Sequence, residues 1–260
     1  MMTQTESSWR LLHFSRNIAP MNMAIDEAML IARSTRKVPN TIRLYAWEPS
    51  AVSIGFFQSL EAEVDLEVCR NEGVDVVRRI TGGGAVFHDS QGEVTYSFVA
   101  GEEERTIPRD LLRSYEVICG GIIKGLDALG VDASFQPVND IVVGGKKISG
   151  NAQTRRLGVL LQHGTILVDA DLDKMFRLLK VSEAKIRDKM ISSAEKRVTT
   201  LRRELSRKPS LDEVAEALQR GFERSLHITL TKGRLTDEEL RLAEDLRKQK
   251  YSNAEWTRKR

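Results

Sequence analysis

The stretch "RRITGGGAVFHD", residues 78–89, sets the hardest limit on what this chain can become. Three consecutive glycines, Gly82, Gly83 and Gly84, follow the β-rich run "VDVVRRI" (74–80), and a second strand pattern, "GAVFHD" (84–89), begins at the last of them. Glycine is entropically costly inside a helix or strand, so a triple glycine marks a corner. Such a corner is either a sharp bend or a place where bare backbone amides approach an anion. Arg78 and Arg79 precede it, and period-2 alternation sends them to opposite faces, so only one readily faces a ligand. The spacing is neither that of a P-loop nor that of a dinucleotide fingerprint.

A second stretch, "NDIVVGGKKISGNAQTRR" (139–156), reads as a strand, a Gly-Gly turn and a returning strand. Lys146 and Lys147 alternate there, one outward and the other toward the sheet's working face. Taken singly, a Lys-Lys hairpin is an ordinary solvated turn. Beside a glycine corner, a lysine on a short hairpin can neutralise a carboxylate and a phosphate together. Asp140, preceded by Asn139, is placed to hold Mg²⁺ or to orient that lysine.

The remaining pattern supplies a frame. Strands are expected at 9–14, 41–47, 51–57, 93–100 and 159–169. Helices are expected at 22–34, with Asn22 as N-cap, and at 61–73, 109–130 and 211–226. Ser210 and Glu213 form a capping-box signature for the last of these, and the whole chain from Leu172 reads as mostly helical. The fold class is α/β of the α+β type: one mixed, largely antiparallel sheet flanked by helices. With 260 residues and no low-complexity linker, one domain is expected, its helical C-terminal part about 172–260.

Composition narrows the function. A net charge of +3 implies no general affinity for nucleic acid. Lys185 to Lys208 does hold nine Lys/Arg against Asp188, Glu195 and Glu204, which suits a phosphate or an acidic partner as well as a solvated helix face. The two cysteines, Cys69 and Cys119, form no CxxC, and the four histidines show no ligand spacing. No signal-peptide core and no membrane-length apolar run is present, so a cytoplasmic protein without membrane association is expected.

"RRITGGGAVFHD", "NDIVVGGKKISGNAQ" and "QHGTILVDADL" occur in an order and spacing that closely resemble the lipoate–protein ligase family, within the biotin/lipoate ligase and octanoyltransferase superfamily. The resemblance runs from about Trp9 to Trp256 and implies a biotin/lipoate-ligase-like catalytic domain. It implies an enzyme that uses ATP and Mg²⁺ to adenylate lipoate and passes the lipoyl group to a lysine of an acceptor. Implied acceptors are 2-oxoacid dehydrogenase lipoyl domains, the glycine-cleavage H protein or a specialised lipoylated protein. By the same resemblance Arg79 contacts nucleotide, Gly82, Gly83, Gly84, Ala85, Val86, Phe87 and His88 wall the pocket, and Asp140 binds metal or orients phosphate. Lys147 is the catalytic lysine. Gly150, His163, Gly164 and Thr165 border the ligand. "SIGFFQ" (53–58), Val77 and Val86 are candidates for an apolar acyl slot, although each also fits an ordinary core strand.

Relatives with a longer chain carry a small C-terminal domain past the equivalent of "YSNAEW" (251–256). Its absence here leads to the expectation of a separate small accessory subunit docking near Tyr251 and Trp256, or of those aromatics folding onto the protein's own helices. The nearest alternative activity is octanoyl or lipoyl transfer without ATP, by relatives that form a cysteine thioester. They place the thiol shortly before the lysine strand or well after it; here the first place reads "DASFQPVND", with Ser134, and no cysteine follows Cys119. That absence sets the expectation on the ATP-dependent ligase. A non-catalytic lipoate-binding protein is the other alternative.

Overall fold

The computed structural model describes residues 8–180 and 196–260. Eight strands form the main sheet: β1 (Ser8–Asn17), β2 (Thr41–Trp47), β6 (Glu93–Gly101), β7 (Ser134–Gln136), β8 (Asp140–Val143), β9 (Lys146–Arg156), β10 (Val159–Leu167) and β11 (Thr229–Gly233). Their order is β11-β1-β2-β6-β10-β9-β8-β7. A second sheet has the order β4-β3-β5, from β3 (Ala51–Ile54), β4 (Asp75–Arg78) and β5 (Val86–His88). The main sheet is mixed but largely antiparallel, with β1 running parallel to both β2 and β11.

Both faces of this sheet are covered. The helices α4 (Leu111–Ala128) and α7 (Leu211–Leu226) pack on one face, against Ile42, Leu44, Tyr96, Phe98, Leu160 and Ile166. On the other lie α1 (Ala19–Ser34) and α8 (Asp237–Leu246), against Tyr45, Trp47, Val99, Val159 and Leu161. Strand alternation therefore sorts β2, β6 and β10 into two sets, each buried. Toward the far end of the α1 face the buried positions turn polar, with Arg43, Thr95, Ser97, His163 and Thr165 replacing aliphatics. The second sheet has its own small core with α2 (Leu60–Glu63), α3 (Leu66–Asn71) and α5 (Leu172–Leu178), while the short α6 (Leu201–Leu205) joins the main core through Leu201.

Several expectations are corrected. Asn22 is not an N-cap; α1 starts at Ala19, with Pro20 in its first turn, and Asn22 is fully buried. Its amide donates to the Asn17 and Ala46 carbonyls, so it ties the helix to the flanking strands instead. Strand β3 stops at Ile54, because residues 55–58 turn beneath the glycine corner. The helical reading beyond Leu172 missed β11. His227 closes α7 in the left-handed conformation, and the chain then pairs as a parallel edge strand with β1. Ser210 caps α7 through Glu213 N, while the reciprocal capping box belongs to Thr236 and Glu239. The part of the basic run 185–208 that precedes residue 196 lies outside the described residues.

The C-terminal aromatics fold onto the chain itself. A π-helical turn, Arg247–Tyr251, buries Tyr251, whose hydroxyl donates to Glu27 Oε2 at 2.6 Å. The last helix, α9 (Ala254–Thr257), is stapled to β4: Trp256 Nε1 donates to the Arg78 carbonyl, and the Arg78 guanidinium donates to the carbonyls of Trp256 and Thr257.

At the β11 edge, Arg10 donates to both oxygens of Glu239, at 2.7 and 2.6 Å. Burial opposes the Glu239 charge, but Arg10 and the α8 cap hold its carboxyl below the usual range. Glu239→Ala leaves a buried guanidinium without its partner. It should destabilise the protein by about 3 kcal/mol, read from urea unfolding at neutral pH. Because the folded pKa is depressed, the pair's contribution is complete above about pH 4.3 and falls as pH drops through the folded value.

Candidate functional site

The glycine corner bends over the polar end of the α1 face and closes a cavity of about 180 Å³. Its walls come from β2 (Tyr45, Trp47), β3 (Ser53), the corner (Gly83, Gly84, Ala85), β5, β6, β9 and β10, with Met23 of α1. The two sequence stretches that stood out, fifty residues apart, meet here. Of the expected residues, Arg79, Gly83, Gly84, Ala85, Val86, His88, Lys147, Gly150, His163, Gly164 and Thr165 line the cavity. Gly82, Phe87 and Asp140 do not. Phe87 points away into the small core, as alternation between Val86 and His88 requires. Val77 is likewise core, so of the proposed acyl-slot residues Ser53 and Val86 reach the cavity.

Arg79 organises the corner. Its Nε donates to Thr81 Oγ1, one terminal nitrogen to the Ser53 carbonyl and hydroxyl, and the other to the Gly82 and Gly84 carbonyls. All five guanidinium donors are thereby committed to the protein. Burial lowers its pKa to about 10, which leaves it charged at neutral pH. Among the described residues no carboxylate bonds it, so its charge faces the cavity uncompensated. With the carbonyls turned toward Arg79, the amides of Gly82, Gly83 and Gly84 donate to no protein group among the described residues. The corner thus offers free N–H groups beside a buried cation, which suits a carbonyl oxygen or an anion.

Gly55 is the residue that sequence reading missed here. A side chain at Gly55 would run into the Gly83 carbonyl, so the corner sits on bare backbone. Gly83 itself has φ +95 and a side chain there would also press on Arg79.

Lys147 comes from β9, while Lys146 points to solvent. Residues after the undescribed segment hold its backbone: Lys147 N donates to the Arg197 carbonyl, and Thr199 N to the Lys147 carbonyl. The side chain lies across Gly150, where a Cβ would meet Lys147 Cε at 2.7 Å. Its ammonium rests 2.7 Å from Asp140 Oδ1, a close ion pair rather than an angularly aligned hydrogen bond. Among the described residues no carboxylate lines the cavity, and no cluster of three His, Cys, Asp or Glu could hold a metal. With Asp140 behind the lysine, this donor set does not fit a protein-held divalent cation.

Two histidines complete the floor, each bridging a hydroxyl and a carboxylate. His163 lies 2.7 Å from Thr81 Oγ1 and 3.1 Å from Asp26 Oδ2. Burial lowers its pKa, whereas Asp26 stays below its ordinary value because His163 and Arg43 outweigh its own burial. His88 lies 2.8 Å from Ser53 Oγ and 2.7 Å from Glu93 Oε1. Cys69 and Cys119 sit in the cores, where burial pushes their thiols up to about 11 and about 12, and neither lines the cavity. Ser134 lies exposed on the edge strand β7, also outside it.

A family model, the lipoyl protein ligase A/B catalytic domain, matches residues 19–223. The octanoyltransferase LipM of Kyrpidia tusciae is 41% identical over 271 residues, covering 96% of this chain and 98% of that protein. The octanoyltransferase LipM of Brevibacillus brevis is 38% identical over 275 residues, covering 97% and 99%. A solved archaeal lipoylation system, a bi-partite lipoate protein ligase and its E2 lipoyl domain from Thermoplasma acidophilum, aligns with TM-score 0.86 at 34% identity over 96% of each chain. The full-length octanoyltransferase relatives overturn the expectation of an ATP-dependent ligase, and with it the basis for expecting ATP, Mg²⁺ and an adenylate. That expectation rested on the motif resemblance to lipoate–protein ligases and on the lack of a thiol near Ser134 or after Cys119, and an absent residue type is weaker evidence than full-length similarity.

Gly55→Ala should force the Gly83 carbonyl outward and cost about 1–3 kcal/mol by overpacking. Gly84→Ala enters open space and should leave the melting temperature unchanged. Equal melting of the two variants would mean that the corner is not seated on Gly55.

Proposed function

The chain belongs to the lipoyl protein ligase A/B catalytic-domain family, and from that premise we propose that it transfers a medium-chain acyl group to a lysine of an acceptor protein. The donor is an octanoyl or lipoyl thioester on a carrier, and no ATP is consumed. The observation that carries this reading is full-length similarity to octanoyltransferases, together with a cavity whose free amides and cations suit an acyl carbonyl. The solved relative described with its E2 lipoyl domain supports a lipoyl domain as the acceptor. No described helix is long and apolar enough to cross a membrane.

The chemistry follows from the walls. Attack on a thioester carbonyl creates an oxyanion. In this reading the free amides of Gly83 and Gly84 and the Lys147 ammonium, all on the cavity wall, stabilise it without reorganisation. Asp140 keeps Lys147 over Gly150, and the buried Arg79 keeps the amides aimed. The acyl chain lies against Val86, Ala85, Ala152, Met23 and the Tyr45 and Trp47 rings.

The test uses the purified chain, an octanoyl-carrier thioester and an apo lipoyl domain, without nucleotide. Acceptor mass should rise by one octanoyl group as free carrier thiol appears. Acylation that required free acid and ATP would sink the reading. Lys147→Ala should lower kcat by about 10²–10³, the cost of losing one oxyanion donor, whereas Lys146→Ala should be silent. Shortening the acyl chain should lower kcat/KM about fourfold per methylene removed, since each buried methylene is worth about 0.8 kcal/mol. An unchanged kcat/KM from octanoyl to butanoyl would place the chain outside the cavity.

A further inference from the structure

The proposed reaction lacks an obvious nucleophile. Both cysteines are buried away from the cavity, and Ser134 stands outside it. Two hydroxyls are paired with histidines on the cavity floor, and they differ in access. Thr81 is fully buried and does not line the cavity; its histidine leans on Asp26, which Arg43, Tyr45 and Ser97 also engage. Ser53 does line the cavity, as does His88.

On the proposed acyl-transfer reading, we propose that Ser53 is the residue that accepts the acyl group, activated by His88 and Glu93. Ser53 Oγ, His88 Nε2, His88 Nδ1 and Glu93 Oε1 form one chain of 2.8 and 2.7 Å contacts. Glu93 accepts from Nδ1–H, which leaves the Nε2 lone pair to take the serine proton, the geometry of a nucleophile, base and orienting acid. Trp47 stacks on the imidazole with centroids 4.0 Å apart, and its Nε1 donates to Thr95 Oγ1, which donates to Glu93 Oε1. The base is therefore fixed in plane and in tautomer. Glu93 Oε2 is buried without a hydrogen-bond partner among the described residues, so His88 and Thr95 alone share the carboxylate. Arg79 donates to Ser53 Oγ at 3.1 Å, which favours the charge that grows on oxygen as its proton leaves.

The balance is complete with the two substrates already named. Ser53 Oγ forms a bond to the acyl carbon, the carbon–sulfur bond breaks, and His88 carries the serine proton to the carrier sulfur. The acceptor lysine amine then attacks the ester. A carbon–nitrogen bond forms, the carbon–oxygen bond breaks, and His88 returns a proton from nitrogen to Ser53.

The decisive experiment incubates the wild-type chain with octanoyl-carrier thioester and no acceptor. Intact mass should show one octanoyl group, and peptide mapping should place it on Ser53 as an ester that resists neutral hydroxylamine and transfers when apo lipoyl domain is added. Ser53→Ala should lose the adduct and lower turnover by at least about 10²-fold, as should His88→Gln. Ser53→Cys should retain turnover and yield a hydroxylamine-labile adduct, which a merely structural hydroxyl would not do. If Ser53→Ala fails to fold, the mapped wild-type adduct decides. An adduct on another residue, or a folded Ser53→Ala that turns over like wild type, overturns the serine while leaving acyl transfer intact. Absence of transfer by the wild-type chain overturns acyl transfer itself, and the serine with it.

Discussion

The buried Arg79 guanidinium is the interaction on which the site depends. A corner of three glycines has no side chains with which to hold a shape. One residue supplies that shape from below by gathering the carbonyls of Ser53, Gly82 and Gly84 around five fixed donors. Carbonyls drawn inward leave amides turned outward, and a charge without a carboxylate beside it gives them a favourable field. Arg79 is thus scaffold and field at once, while the neighbouring Arg78 is spent on the 55–58 turn and the last helix.

The main sheet places the chemistry. Because both faces are covered, its strands carry two buried sets of residues. Aliphatic and aromatic residues dominate the α4 face, where the buried Gln162 bonds Tyr96, whereas the α1 face changes from Val159 and Leu161 to His163 and Thr165 along β10. That change converts a core into a cavity without any loop insertion. The second sheet and the glycine corner need only cover it.

Much of this was legible in sequence, and the limits have physical causes. The glycine corner and the lysine hairpin stood out because backbone exposure and charge are local properties. Alternation separated Lys146 from Lys147 and Arg78 from Arg79, and the family resemblance indicated which of each pair faces the site. The Ser53–His88–Glu93 contact and the His163–Asp26 contact were not legible, since they join side chains 35 and 137 residues apart. Strand β11 was lost to its helical neighbours, although the alternating "ITLTK" after His227 was a signal in plain view. The activity was misjudged because one missing cysteine was given more weight than it carries against full-length similarity to octanoyltransferases.

The meeting of Gly55 and Gly83 has a consequence for how such a protein can diverge. Elsewhere in a core, a bulkier residue at one position is met by a smaller one opposite, so drift proceeds through compensating pairs. Here bare backbone rests on bare backbone, and neither partner has any atom left to give up. A side chain at position 55 must therefore be met by movement of the Gly83 backbone itself, since no smaller residue opposite can make room.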